Sequence, residues 1–177
     1  MKYPVIVDII GIAYRKTGRE QKLHICTFIG HSFVFSSTAE KRLKDEIETY
    51  LADIDEASFY VGGRGEFDSM VAATVRAAKV CHRDKKIQLY LVEPYMSKQI
   101  NRDKDFYSQL YDGIIVPQEL MGVHPKAAIT KRNRVMVDWT NVLIAFVYRD
   151  FGGAYETLKY AERKHKRIIN LAEEPAE

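Results

Sequence analysis

ASFYVGGRGEFDSMVAATVRAAKVC (57–81) decides the fold. Its first part, ASFYVGG (57–63), is a short apolar run closed by glycines and reads as a buried strand. FDSMVAATVRAAKVC (67–81) follows as an alanine-rich helix, and KIQLYLVEP (86–94) is a second strand closed by proline. The same grammar extends outward on both sides. LHICTFIG (23–30) is an apolar run ending in glycine, and TAEKRLKDEIETYLADI (38–54) places Leu43, Ile47, Tyr50, Leu51 and Ile54 at helical spacing. Downstream, 95–112 is polar and aromatic and reads as loop plus a short helix, ahead of the apolar run GIIVP (113–117). KAAITKRNRVMVDW (126–139) is a helix, NVLIAFVY (141–148) a buried strand, GGAYETLKYAERKH (152–165) a turn and helix, and RIINL (167–171) a last strand. Strands alternating with helices predict one α/β domain over 23–172, with a mostly parallel sheet and helices on both faces. Residues 1–22, PVIVDIIGIAY and then RKTGREQ, read as a hairpin extension adding an edge strand. Residues 173–177, EEPAE, read as a disordered tail.

Composition narrows the class. A chain of 177 residues with 46% hydrophobic and 29% charged residues can bury its own core and is far from the profile of disordered chains. VIVDII is interrupted by Asp8, and no run reaches the length of a membrane span, so no membrane partner is expected. Cys26 and Cys81 lie far apart with no secretory leader ahead of them, and reduced thiols in a cytoplasmic protein are expected. His24, His31, His82, His124 and His165 show no metal spacing with them, so neither metal nor cofactor is predicted. The net charge of +3 is too mild for a nucleic-acid footprint, and ERKHKR (162–167) reads as the solvated end of a helix. DFYSQLYDG (105–113) would either cover a cleft or form an interface, which leaves self-association open.

Ligands of open parallel sheets sit beyond the carboxyl ends of the strands. Glycine stands at three of those ends: Gly30 before His31 and Ser32, then Gly62, Gly63 and Gly65, then Gly152 and Gly153. Glycine lets backbone approach a ligand, and a following helix N-terminus offers free N–H groups to an anion. Arg64, Glu66 and Asp68 accompany the second turn, and Glu156 and Thr157 the third. Asp68 has two readings, a helix cap or a ligand contact. KRNRVMVD (131–138) adds Arg132, which can fork a phosphate, and Asn133, which can donate and accept. There is no complete phosphate-binding loop, dinucleotide fingerprint or nucleophile elbow.

Taken together, CTFIGHS (26–32), FYVGGRGEFD (59–68), KRNRVMVD (131–138), NVLIAFVY and FGGAYETLKYA (151–161) resemble the SLOG superfamily, more narrowly its small bacterial and prophage branch. The resemblance covers 23–172 and implies a Rossmann-like, doubly wound fold with a pocket for a nucleotide or nucleotide-derived ligand. It implies that Gly152, Gly153 and Thr157 cradle phosphate and that Gly30, Gly62, Gly63, Arg132 and Asn133 line the same cleft. Ser32 departs from the branch, which has arginine after Gly-His. The superfamily also holds Lonely-guy enzymes, which cleave the N-glycosidic bond of nucleoside monophosphates with a carboxylate just after the glycine turn. Here Lys159 stands where that glutamate is expected, and a lysine cannot stabilise an oxocarbenium-like charge. The expectation is therefore a sensing or sequestering module that binds without turnover. A nucleotide N-glycosidase using Glu156 or Asp68 is the alternative, and a DNA-associated protein, after the superfamily's DNA-processing member, is the second.

Overall fold

A computed structural model describes residues 24–172. The hairpin expected over 1–22 and the tail expected over 173–177 lie outside the described residues.

The chain runs β1 (His24–Gly30), α1 (Ala39–Leu51), β2 (Glu56–Val61), α2 (Glu66–Cys81), β3 (Lys86–Val92), α3 (Lys98–Arg102), α4 (Lys104–Leu110), β4 (Gly113–Ile115), a 3-10 turn (Gln118–Leu120), α5 (Pro125–Trp139), β5 (Val142–Phe146), α6 (Gly153–Arg163) and β6 (Arg167–Asn170). All six strands join one sheet in the order β4-β3-β2-β1-β5-β6, and every neighbouring pair is parallel. This is the doubly wound arrangement expected from the sequence. The polar stretch 95–112 holds two short helices instead of one, because Asp103 interrupts the run between α3 and α4.

Period-two alternation along the strands explains the layering. Cys26 and Phe28 of β1 join Leu43, Ile47 and Leu51 of α1 and Val71 and Val75 of α2 in a core on one face. The spacing of Leu43, Ile47 and Leu51 is the i, i+4, i+8 stripe of a helix that buries one side. Ile29 points the other way, toward Val137 of α5 and Leu158 and Ala161 of α6. Ile25 shares that second face with Tyr60, Tyr90 and Met136. Helix α5 starts where Pro125 presets the first helical residue and His124 Nδ1 accepts from Lys126 N–H at 3.3 Å. Just beyond its end, Asn141 Oδ1 accepts from Ile25 N–H at 2.7 Å, tying the start of β5 to the start of β1.

The strand order places the switch point. From β1 the chain winds outward through β2, β3 and β4, then returns to the other side of β1 for β5 and β6. Loops leaving β1 and β5 therefore diverge, and the crevice between them opens at the carboxyl ends. No helix among the described residues is long and apolar enough to cross a membrane.

Candidate functional site

The three glycine turns meet around the end of β1. His31 N–H donates to Phe146 O at 3.1 Å, which anchors the turn after Gly30 on β5. Tyr148 N–H donates to His31 Nδ1 at 3.4 Å, so Nε2 carries the ring proton and faces Phe151 O at 3.4 Å. His31 thereby links the first turn to the third. On the other side Glu66 N–H donates to Ser32 O at 2.9 Å, and Glu66 Oε2 accepts from Val34 N–H at 2.9 Å. Ser32 thus joins the first turn to the second, its backbone already engaged and its side chain exposed. The glycine of the first turn has a packing role as well, since a Cβ on Gly30 would lie 2.4 Å from the Phe67 ring.

Helices α2 and α6 begin on Gly65 and Gly152, whose φ angles of 95° and 90° are left-handed. Neither N-cap supplies a side-chain hydrogen bond, so the first N–H groups of each helix are not capped from that position. An added Cβ on Gly152 or Gly153 would meet nothing within 4 Å. The amino terminus of α6 therefore faces open space. Thr157, by contrast, is buried: its hydroxyl donates to Gly153 O at 2.7 Å and accepts from Asn133 Nδ2 at 3.3 Å. Thr157 and Asn133 hold the turn from behind, joining α6 to α5.

A second cluster lies under the turn after β2. Arg132 of α5 is only 2% exposed, and its Nη1 donates to Val92 O at 2.8 Å. Its Nε is buried with no hydrogen-bond partner. Gly62 is pressed against this guanidinium, and Gly63 follows with a left-handed φ of 67°. Asp68 sits in the first turn of α2, where its Oδ2 accepts from Arg64 N–H at 2.7 Å. It ties back the residue ahead of the helix and does not occupy the N-cap itself, which is Gly65. Burial is the main reason its pKa is pushed up to about 6, against the opposing pull of the Arg64 N–H and of the Arg132 charge. Glu93, at the end of β3, is also buried; desolvation raises its pKa while Arg64 and Arg132 oppose the rise. Burial in turn disfavours the charge of Arg132, and Asp68 and Glu93 sustain it. Asp68, Glu93 and Arg132 are thus electrostatically coupled beneath this turn.

Glu93 was not legible as a site residue, because LVEP reads only as the end of a strand; a carboxylate closing a buried parallel strand is the signal that identifies it. Glu156 is exposed on the first turn of α6. Lys159, one turn on, pairs with Glu162 on the helix surface. Asp138 likewise turns away from the site and accepts from Tyr160 Oη at 3.0 Å. A separate cavity of about 270 Å³, lined by His24, Tyr50, Asp53 and Arg167, lies at the amino-terminal ends of the strands, opposite the glycine turns. No group of His, Cys, Asp and Glu among the described residues could hold a metal ion.

The architecture has close counterparts among solved structures. DNA processing protein A from Streptococcus pneumoniae superposes with a TM-score of 0.59 over 82% of this chain, at 14% identity. The Helicobacter pylori protein does so with a TM-score of 0.55 over 82%, at 15% identity. The fold is shared with DNA processing protein A. This agrees with the Rossmann-like, doubly wound fold expected from the sequence. The chain spans 49% of the Streptococcus pneumoniae structure and 63% of the Helicobacter pylori one, so the likeness is to a part of each. The latter protein binds single-stranded DNA. No family model and no curated protein matches the sequence.

Proposed function

We propose that this protein binds a phosphate-bearing nucleotide or nucleotide-derived ligand in the crevice between β1 and β5, as a sensing or sequestering module. The observation that carries this reading is the start of α6, where Gly152 and Gly153 leave the helix N-terminus open at the switch point of the sheet. Free N–H groups and the positive end of the helix dipole suit a phosphate. Thr157 and Asn133 fix the turn, while Arg132, with one N–H unpaired, adds positive potential from beneath the neighbouring loop. Binding without turnover is favoured because Lys159, paired with Glu162, occupies the helix position of the expected carboxylate. The domain is taken to be the unit of function over 23–172, acting in the cytoplasm.

The test is thermal shift combined with chromatographic analysis of the same samples across mononucleotides, dinucleotides and cyclic ADP-ribose-type compounds. A ligand at a hundred times its dissociation constant stabilises the fold by about 2.7 kcal/mol. Stabilisation with intact ligand supports the proposal; release of a free base transfers it to the N-glycosidase reading, with Glu156 the first residue to change. A second reading, association with single-stranded DNA, draws on the fold shared with a DNA-binding protein. Its signature is oligonucleotide affinity that falls steeply with salt.

A further inference from the structure

The loops that carry the glycine turns also expose aromatic rings. Phe33 and Phe35, between β1 and α1, are 56% and 74% exposed; Tyr148 and Phe151, between β5 and α6, are 37% and 62% exposed. These rings form one connected surface: Phe33 lies 6.2 Å from Phe35 with the two rings near parallel at 28°, while Tyr148 meets Phe35 edge-on at 5.7 Å and 79° and His31 at 4.6 Å and 63°. Phe146, buried at the end of β5, backs Tyr148 at 5.7 Å and fixes its position. The Arg149 guanidinium covers the Tyr148 ring at 5.0 Å and the Phe151 ring at 5.8 Å.

Large apolar side chains left together in water mark a surface that another group covers. Here the surface flanks the crevice at the switch point, and Phe151 directly precedes Gly152. Its rings are flat, its cation is planar, and its open neighbour is a helix N-terminus suited to an anion. A flat aromatic heterocycle joined to a phosphate matches all three.

We propose that Phe35, the most exposed of these rings, is the stacking platform for the base of the bound nucleotide, with Tyr148 bracing it edge-on and Arg149, over the Tyr148 ring, facing the sugar-phosphate side. This rests on the nucleotide-binding reading above and adds to it a determinant of specificity: recognition of the heterocycle by its face. The platform discriminates a nucleotide from a sugar phosphate, and accepts several bases because every base has a stacking face.

Isothermal titration of the full chain with AMP, GMP, CMP, UMP, a 5′-phosphorylated dinucleotide, cyclic ADP-ribose and ribose 5-phosphate tests it, alongside Phe35→Leu and Tyr148→Leu, which keep apolar bulk but remove the ring. Unchanged melting temperatures establish that both variants fold. At least one nucleotide is expected to bind about tenfold or more tighter than ribose 5-phosphate, with the margin lost in Phe35→Leu, reduced in Tyr148→Leu, and ribose 5-phosphate affinity unaltered. Equal affinity for nucleotides and ribose 5-phosphate, unchanged by the substitutions, overturns the stacking platform and leaves the phosphate reading standing. Failure of every one of these compounds to bind overturns both. Binding of oligothymidylate that the substitutions abolish, with no mononucleotide bound, reassigns the rings to single-stranded nucleic acid and overturns the proposal.

Discussion

Gly62 and Arg132 share a space that admits no additional atom: a Cβ on Gly62 would lie 2.2 Å from Arg132 Nη1. The guanidinium cannot simply swing aside, because it is buried and bonded to Val92 O. Gly62→Ala is therefore expected to cost about 1–3 kcal/mol, the range for displacing a hydrogen-bonded buried charge. Urea denaturation measures it, and a variant as stable as the parent would show that the guanidinium has a second seat.

Gly153→Asp separates folding from function. The new side chain enters open space in the first turn of α6, where a carboxylate favours the helix. Stability is expected to hold within about 0.5 kcal/mol. Affinity for any phosphate-bearing ligand should fall about tenfold or more through charge repulsion. Retained affinity would move the phosphate away from this turn.

Asp68 gives a pH dependence of definite sign. Its pKa rises from 3.8 to about 6 on folding, so between those values the folded state binds more protons than the unfolded one. Its contribution to stability is then full below about pH 4 and is lost as pH rises to about 6 and beyond, amounting to as much as about 3 kcal/mol. Asp68→Asn keeps the oxygen that accepts from Arg64 N–H and removes the titration. Chemical denaturation from pH 4 to 7 should show a flatter profile and a gain in relative stability at neutral pH. Parallel profiles for parent and variant would contradict the assignment.

Thr157 and Asn133 act as a pair. Thr157→Val removes the hydroxyl that donates to Gly153 O and accepts from Asn133, and Asn133→Ala removes its partner. A double-mutant cycle is expected to give a coupling of about 0.5–1.5 kcal/mol in stability, with weaker ligand affinity in every variant. Strict additivity would mean that α5 and α6 do not communicate through this contact.

The alternation of strands and helices was legible because each apolar run meets a glycine or proline boundary. ASFYVGG followed by FDSMVAATV needs no tertiary information to be read as strand, turn and helix. What local pattern does not contain is strand order, and with it the fact that β1 lies between β2 and β5. That order decides which turns meet, so Gly30, Gly65 and Gly152 were each visible in the local pattern, while their convergence was implied only by the superfamily resemblance and the general rule for ligand sites in parallel sheets. Side-chain direction was hidden for a related reason. The two readings of Asp68 did not include its hold on Arg64 N–H, and the expected phosphate contact of Thr157 did not include the bonds of its hydroxyl to Gly153 and Asn133. Phe33, Phe35, Tyr148 and Phe151 escaped notice because exposure cannot be read from two loops far apart in sequence.

The bond from Ile25 N–H to Asn141 spans 116 residues and sets an order of events during synthesis. While the ribosome still holds the second half of the chain, β2 is the one described neighbour of β1 already made, and the other edge of β1 waits for β5. The nascent half-sheet therefore carries a bare edge along the strand that will become central, which is a risk for mispairing. A product that terminates before Val142 leaves that edge permanently open, so premature termination should yield aggregate and not a smaller soluble protein.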